Sequence, residues 1–172
     1  MHKRIETDIA NIEKLAQQRD AENWDFRGFL KRSDFAVAKI DSVVNDLYRK
    51  VLVQIDCTRC ANCCKVILPI LNESDIARLA RHLRLEATEF KSRFLMEDEN
   101  GFVFNTQPCP FLVKNRCTVY EHRPQDCRSY PHLHKKNFVF RVNQAFSNCS
   151  VCPIVFNVYE ELKQILKPPR RR

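Results

Sequence analysis

Glycine is almost missing from this chain, with 2 among 172 residues beside 8 prolines. That scarcity argues against long flexible linkers and leaves no glycine-rich loop to cradle a phosphate. There is no HExxH motif and no Ser-His-Asp order, so the common hydrolase and nucleotide-dependent chemistries have no signal. No stretch reaches the roughly 18 apolar residues needed to cross a bilayer. The opening Met1-His-Lys-Arg-Ile-Glu-Thr-Asp8 also lacks the uninterrupted apolar run of a signal peptide. The expectation is a cytoplasmic protein with no membrane segment. That compartment keeps thiols reduced, and the cysteine count is odd, at nine, so a disulfide framework is a poor reading.

Acidic residues are short in one part of the chain only. Residues 1–56 hold ten Lys/Arg and ten Asp/Glu, whereas residues 57–172 hold nineteen against eleven, so the whole net charge of +8 accompanies the cysteines. A zinc ion held by four thiolates carries a net charge of about −2. Arg59, Lys65, Arg116, Arg123 and Arg128 therefore read as counter-charges for a thiolate cluster, with a nucleic-acid surface as the alternative. Length fits one domain of ordinary size with a real core.

What is there in abundance is sulfur. Cys57-Thr-Arg-Cys60-Ala-Asn-Cys63-Cys64 places four thiols in eight residues. Two-residue gaps let thiolates converge on one ion from a tight knuckle, at metal–sulfur distances of about 2.3 Å. Side chains of neighbours such as Cys63 and Cys64 are expected to point apart, which predicts a polynuclear cluster or two adjacent metal sites. Cys109 sits in Pro108-Cys109-Pro110-Phe111-Leu112, Cys117 opens a short strand, and Cys127 follows Arg123-Pro124-Gln125-Asp126, the first turn of a short helix. Cys149 and Cys152 form a further CxxC. Pro153 suits the first position of the last helix, so the Cys152 sulfur lies near amide N–H groups that favour a thiolate. This pair reads as metal ligands, with partly buried free thiols as the alternative. His132 and His134 are spaced like strand neighbours and could complete a metal sphere, although surface or core roles are commoner for such a pair. His82 reads as structural, and Tyr120 and Tyr130 as edges of the core.

Around the cysteines the periodicity is mainly helical. Ile5, Ile9, Ile12 and Leu15 share one face, Trp24, Phe26, Phe29 and Leu30 read as an apolar connector, and Ser33 as the N-cap of a long helix. That helix carries Val37, Ile40, Val44, Leu47, Val51 and Ile55 and is expected to run into the knuckle. Asn72-Glu-Ser-Asp75 is a capping sequence that starts a helix burying Ile76, Leu79, Ala80 and Leu83. A second short helix turns Phe90, Phe94 and Leu95 inward. Asn100-Gly101 marks a turn, and 102–104, 111–113, 117–120 and 138–142 read as short strands, two of them joined through Lys114-Asn115-Arg116. Ile154, Val158, Leu162 and Ile165 describe a last helix stopped by Pro168-Pro169, before a solvated tail Arg170–Arg172.

CxxCxxCC at 57–64, then Pro108-Cys109-x-Phe111-Leu112, then Cys117-x-x-Tyr120-x-x-Arg123-Pro124-x-x-Cys127-Arg128-x-Tyr130-Pro131, resembles the YkgJ-like cysteine-cluster proteins over about residues 55–152. The resemblance implies metal binding, with zinc and an iron–sulfur cluster both proposed for a domain described as zinc- or iron-chelating. Relatives of the domain also occur in flagellin lysine methylases, and the resemblance supplies no agreed reaction.

The sequence therefore predicts an α+β, mainly helical single domain with a metal-stapled, loop-rich core and a small antiparallel β element. Residues 1–55 form a helical N-terminal extension, 56–152 the cysteine-cluster domain and 153–172 a C-terminal helix and basic tail. Cys57, Cys60, Cys63, Cys64, Cys109, Cys117, Cys127, Cys149 and Cys152 are the candidate ligands for zinc or iron, the iron in a cluster if one forms. Catalytic residues, and any protein partner, are unassigned. Two other classes stand beside chelation: a nucleic-acid-binding module with structural zinc, and an iron–sulfur redox or methyl-transfer enzyme or accessory protein.

Overall fold

The structure is a computed structural model that describes residues 5–166. The expected Pro168-Pro169 stop and the basic tail lie outside the described residues. Ten α-helices, a short 3-10 helix at Tyr120–His122 and two two-stranded antiparallel sheets make up the described residues, which is the mainly helical α+β class. They fall into two compact units, one formed by residues 5–56 with 131–166, the other by 57–130.

The first unit gathers α1 (Ile9–Gln18), α2 (Asp20–Arg32) and α3 (Val37–Leu52) with two helices from the far end of the chain, α9 (Phe138–Ser147) and α10 (Pro153–Ile165). Helix α10 has apolar residues on every side, and a helix of that kind belongs inside. Ile154, Val155, Phe156, Val158, Tyr159 and Leu162 are all buried, as are Ile40, Val44, Leu47 and Val51 on the stripe of α3 that the 3,4 repeat marks out. Pro153 opens α10, since its missing N–H is one that a first helical turn leaves unbonded anyway.

Three polar side chains of α10 are buried too, and each is answered. Asn157 accepts from the Glu6 N–H at 3.0 Å and donates to the carbonyls of Glu6 and Pro153 at 2.8 and 2.7 Å. Glu160 accepts from Arg19 at 2.6 Å and from Lys163 at 2.7 Å, and Lys163 also reaches Asn23 at 2.8 Å and Glu22 at 3.1 Å. Buried charge is tolerated only with such pairing.

Several expectations are corrected here. Trp24, Phe26, Phe29 and Leu30 belong to helix α2, not to a connector. Ser33 ends α2 by donating to the Leu30 carbonyl at 3.0 Å, and α3 starts after Ala36. Helix α3 stops at Leu52, and residues 53–56 precede the knuckle. Residues 138–142 are not a strand but the first half of α9. Phe138, Val139, Val142 and Ala145 are buried on one helical face and Phe140 is left outside. The cap of α9 comes from far away in sequence: the Asp41 carboxylate on α3 accepts from the N–H groups of Asn137 and Phe138 at 2.7 and 2.8 Å.

The second unit is built on α6 (Glu73–Leu83). Asn72 caps it in a reciprocal capping box with Asp75, as the sequence predicts, and Ile76, Leu79 and Ala80 are buried. Helix α7 (Ala87–Phe94) turns Phe90 inward, and Leu95 then opens β1 (Leu95–Asp98), which pairs with β2 (Gly101–Phe104). Gly101 adopts φ 134°, a conformation closed to residues with a Cβ. Phe90, Phe94 and Phe104 surround Phe111, with ring centroids 5.2–6.4 Å away. The same core carries Leu71 and Val119, with Cys109 and Cys117 packed on its edge.

Candidate metal centre

Seven of the nine cysteines lie in the second unit. Cys57 and Cys60 are the ends of a one-turn helix, α4 (Cys57–Cys60), and Cys63 and Cys64 open another, α5 (Cys63–Val66). Ala61, at φ 51°, makes the corner between them, with its N–H on the Cys57 carbonyl at 3.1 Å and its carbonyl on the Cys64 N–H at 3.1 Å. The knuckle expected from the two-residue gaps is thus a pair of minimal helices around a left-handed residue. Cys57 is exposed, while Cys60, Cys63 and Cys64 are half-buried.

Cys109 is tied to the knuckle by its backbone: its N–H donates to the Cys64 carbonyl at 2.8 Å, and its own carbonyl accepts from Leu112 at 3.0 Å. Leu112 begins β3 (Leu112–Val113), which pairs with β4 (Arg116–Cys117) so that Leu112 stands opposite Cys117. Lys114 and Asn115 both have positive φ, the turn that suits a two-residue hairpin loop. Cys117 therefore lies at the open end of this hairpin, on the Cys109 side.

Cys127 is carried by the one-turn helix α8 (Gln125–Ser129), and three contacts hold that helix in place. Its first N–H, from Gln125, donates to the Asp75 carboxylate at 3.0 Å. Asp75 is only 1% exposed and also takes a hydrogen bond from Arg78. Arg78 in turn donates to the carbonyls of His122 and Arg123, at 3.3 and 3.0 Å, just ahead of α8. Arg128, expected as a counter-charge for the thiolates, spends its guanidinium on the carbonyls of Glu121 and Arg123. The sequence revealed Asp75 only as a helix cap; its second role depends on tertiary packing and leaves no local pattern.

The thiols feel one another. Burial pushes the Cys109 thiol up to about 11, and nearby Cys64 and Cys117 push it the same way. Burial likewise raises Cys117, with Cys64 adding to the shift and Arg123 opposing it. Cys127 is raised strongly by burial and then by Cys64, Cys109, Asp126 and Cys117. Cys64 moves the other way, down to about 7, because the Cys63 thiol donates to its sulfur. Cys63 and Cys64 do not simply diverge, since successive side chains in a helical turn are only about 100° apart. Cys64, Cys109, Cys117 and Cys127, from four separate segments, thus form one electrostatic quartet. They are neighbouring thiols rather than a closed coordination sphere: among the described residues no group of three or more His, Cys, Asp or Glu side chains is arranged to hold a metal ion as it stands.

The donor set still fits a thiophilic cation by its chemistry. Four sulfurs whose negative forms repel one another in a half-buried place are stabilised by a positive charge among them. All nine cysteines are free thiols.

Cys149 and Cys152 belong to the first unit, at the junction of α9 and α10. Cys149 is 3% exposed, donates to the Ala145 carbonyl at 3.4 Å and has its thiol strongly raised by burial, while Cys152 is the buried N-cap residue of α10. His132 and His134 are also in this unit and not on a strand: His132 is buried with φ 62°, and His134 lies 6.2 Å from the Tyr48 ring. His82 stacks on His122 at 4.0 Å in the second unit. No helix among the described residues is long and apolar enough to cross a membrane.

No curated protein and no solved structure matches the chain. Residues 56–153, more than half the chain, match the CxxCxxCC family, whose description reads "Putative zinc- or iron-chelating domain". That span includes every cysteine placed above, and the chain belongs to the CxxCxxCC family.

Proposed function

We propose that this protein is a cytoplasmic chelator of zinc or iron that binds the metal through thiolates, with Cys64, Cys109, Cys117 and Cys127 as the inner set. The observation that supports this reading is the backbone bond that ties Cys109 to Cys64 and the hairpin register that sets Cys117 opposite Leu112, beside thiols close enough to shift one another's protonation. Cys57, which is exposed, with the half-buried Cys60 and Cys63 supplies the remaining thiols of the knuckle, suited to a second ion or to the far side of a cluster. Zinc bound here would supply cross-linking of these segments, whereas an iron–sulfur cluster would supply one-electron chemistry.

Anaerobic isolation followed by elemental analysis and an absorption spectrum tests the proposal. At least one equivalent of zinc or iron per chain is expected. Iron with sulfide and absorption near about 400 nm identifies a cluster, and a colourless zinc protein identifies the other metal. Less than one equivalent, with all nine thiols titrating freely, would sink it.

Cys149 and Cys152 are assigned as secondary ligands only, because burial and the bond to Ala145 give Cys149 a packing role already. The double variant Cys149→Ala, Cys152→Ala is expected to keep the metal of the inner set. Its metal content relative to wild type is the measurement, and a metal-free variant that remains folded by circular dichroism would move this pair into the primary ligand set.

A further inference from the structure

In the first unit the structure builds a surface that the sequence keeps in two distant pieces. On α2, Trp24 is 47% exposed and the Arg27 guanidinium lies 4.1 Å from its ring centroid. Arg27 is fixed there by donating to Asn143 of α9 at 2.6 Å, and Trp24 itself packs at 4.9 Å from Phe146 of α9. One turn before Asn143 on α9 stands Phe140, 75% exposed, and Asn143, Gln144 and Ser147 continue the same outer face. Two rings and a flat guanidinium are therefore presented along one seam, separated by amide side chains.

Basic residues outnumber acidic ones at one end of this seam, where Lys31, Arg32, Lys135 and Lys136 stand beside Asp34 and the capping Asp41. The acidic residues of α2, Asp20, Glu22 and Asp25, precede Arg27, and its remaining turns add Lys31 and Arg32. No Asp or Glu occurs between Asp126 and Glu160, a stretch that brings exposed Lys135 and Lys136 to the start of α9. Arg141 donates to the carbonyls of His132, Lys135 and Lys136 and so holds that lysine loop in place. The first turn of α9 is already capped by Asp41, whose carboxylate takes the N–H groups of Asn137 and Phe138.

We propose that this face binds single-stranded nucleic acid, with Phe140 as the stacking platform beside the exposed edge of Trp24 and the guanidinium plane of Arg27, Lys31 and Lys136 toward phosphates, and Asn143 and Gln144 toward base edges. Isolated rings with amides between them suit unpaired bases, each of which offers a π-face and a polar edge. A membrane surface would instead ask for a continuous apolar face, and an acidic peptide has no use for two exposed rings. The proposal uses residues of the first unit alone and is independent of the metal.

Trp24 is the only tryptophan, so its emission reports on this face directly. The metal-loaded full chain is titrated with labelled oligouridylate and oligothymidylate of about 12 nucleotides, a matching duplex, polyglutamate and anionic phospholipid vesicles. Expected are saturable quenching of Trp24 by the single strands, a parallel rise in their anisotropy, and affinity that falls steeply with salt. Phe140→Ala should weaken binding about tenfold with an unchanged circular dichroism spectrum, as loss of one stacked base predicts. Lys31→Glu with Lys136→Glu should weaken it further and flatten the salt dependence. Absence of binding at low salt overturns the proposal. So does equal binding of duplex or polyglutamate, binding to vesicles alone, or a Phe140→Ala variant that binds like wild type.

Discussion

A chain carrying Cys64→Ala and Cys127→Ala is expected to leave anaerobic purification with roughly a tenth or less of the wild-type metal, and with residues 57–130 cleaved far faster by protease. The two positions are chosen because they belong to different segments of the inner set, the knuckle and α8, and because Cys127 is perturbed by three other thiols. Thiolate ligation of a structural ion contributes on the order of 10 kcal/mol of apparent folding free energy at neutral pH. The one-turn helices α4, α5 and α8 are too short to persist by their own backbone hydrogen bonds. Loss of the ion should therefore be felt as loss of structure in this unit. A double variant that retains full metal and full protease resistance would remove the inner set from consideration.

The same assignment fixes the sign of a pH dependence. Cys109, at about 11, and the raised Cys117 and Cys127 hold their protons near pH 8, so an ion entering the quartet has to displace them. Cys64, at about 7, is already mostly ionised there. Metal affinity should thus rise with pH, with about three protons released per ion above pH 7 and a fourth joining as pH falls below it. Free protons compete with the cation, so metal is lost on the acid side and gained on the alkaline side.

Much of the fold was legible where its cause is local. The capping box of Asn72 and Asp75, the 3,4 stripe of α3 and the proline that opens α10 depend on residues within a turn or two of one another. Misreadings arise where a distant residue decides. Phe138, Phe140 and Val142 alternate as a strand would, yet Asp41 supplies the two acceptors that start a helix there, and Phe140 goes to the outside. Helix α2 lacks an unbroken apolar stripe because its buried face includes Asn23, a polar residue made acceptable by Lys163 from the other end of the chain. Ser33 carries a true cap signal, but it serves the carbonyl of the helix before it.

The candidate site divides in the same way. Spacing within 57–64 announces a knuckle, because the geometry needed is encoded in eight consecutive residues. The placement of the other thiols around it depends on a backbone bond from Cys109 to Cys64, a hairpin register and the position of α8, none of which has a local signature. Cys149 and Cys152 show the reverse case. Their spacing looks like that of ligands, while Cys149 sits in the core of the first unit as a small apolar side chain.

Asp75 is where fold and site are joined, and its replacement is the second large effect expected. In Asp75→Ala the N–H of Gln125 and the guanidinium of Arg78 lose a common acceptor, and the N–H of Asn72 loses its half of the capping box. Leaving such groups unanswered in a buried place costs about 3 kcal/mol, tempered because Arg78 is one-third exposed and can find water. Helix α8 then loses the anchor that sets the position of Cys127, and metal affinity should fall by about tenfold or more, as it does when supports of ligating groups are removed. Asp75→Asn should lie between, since its amide oxygen can still accept from Gln125 but carries no charge for Arg78. Urea unfolding at one fixed, saturating metal concentration reads the first effect, and competition against a chelator of known affinity reads the second. The two must move together across wild type, Asn and Ala; a fall in stability with unchanged metal affinity would confine Asp75 to the fold and detach α8 from the centre.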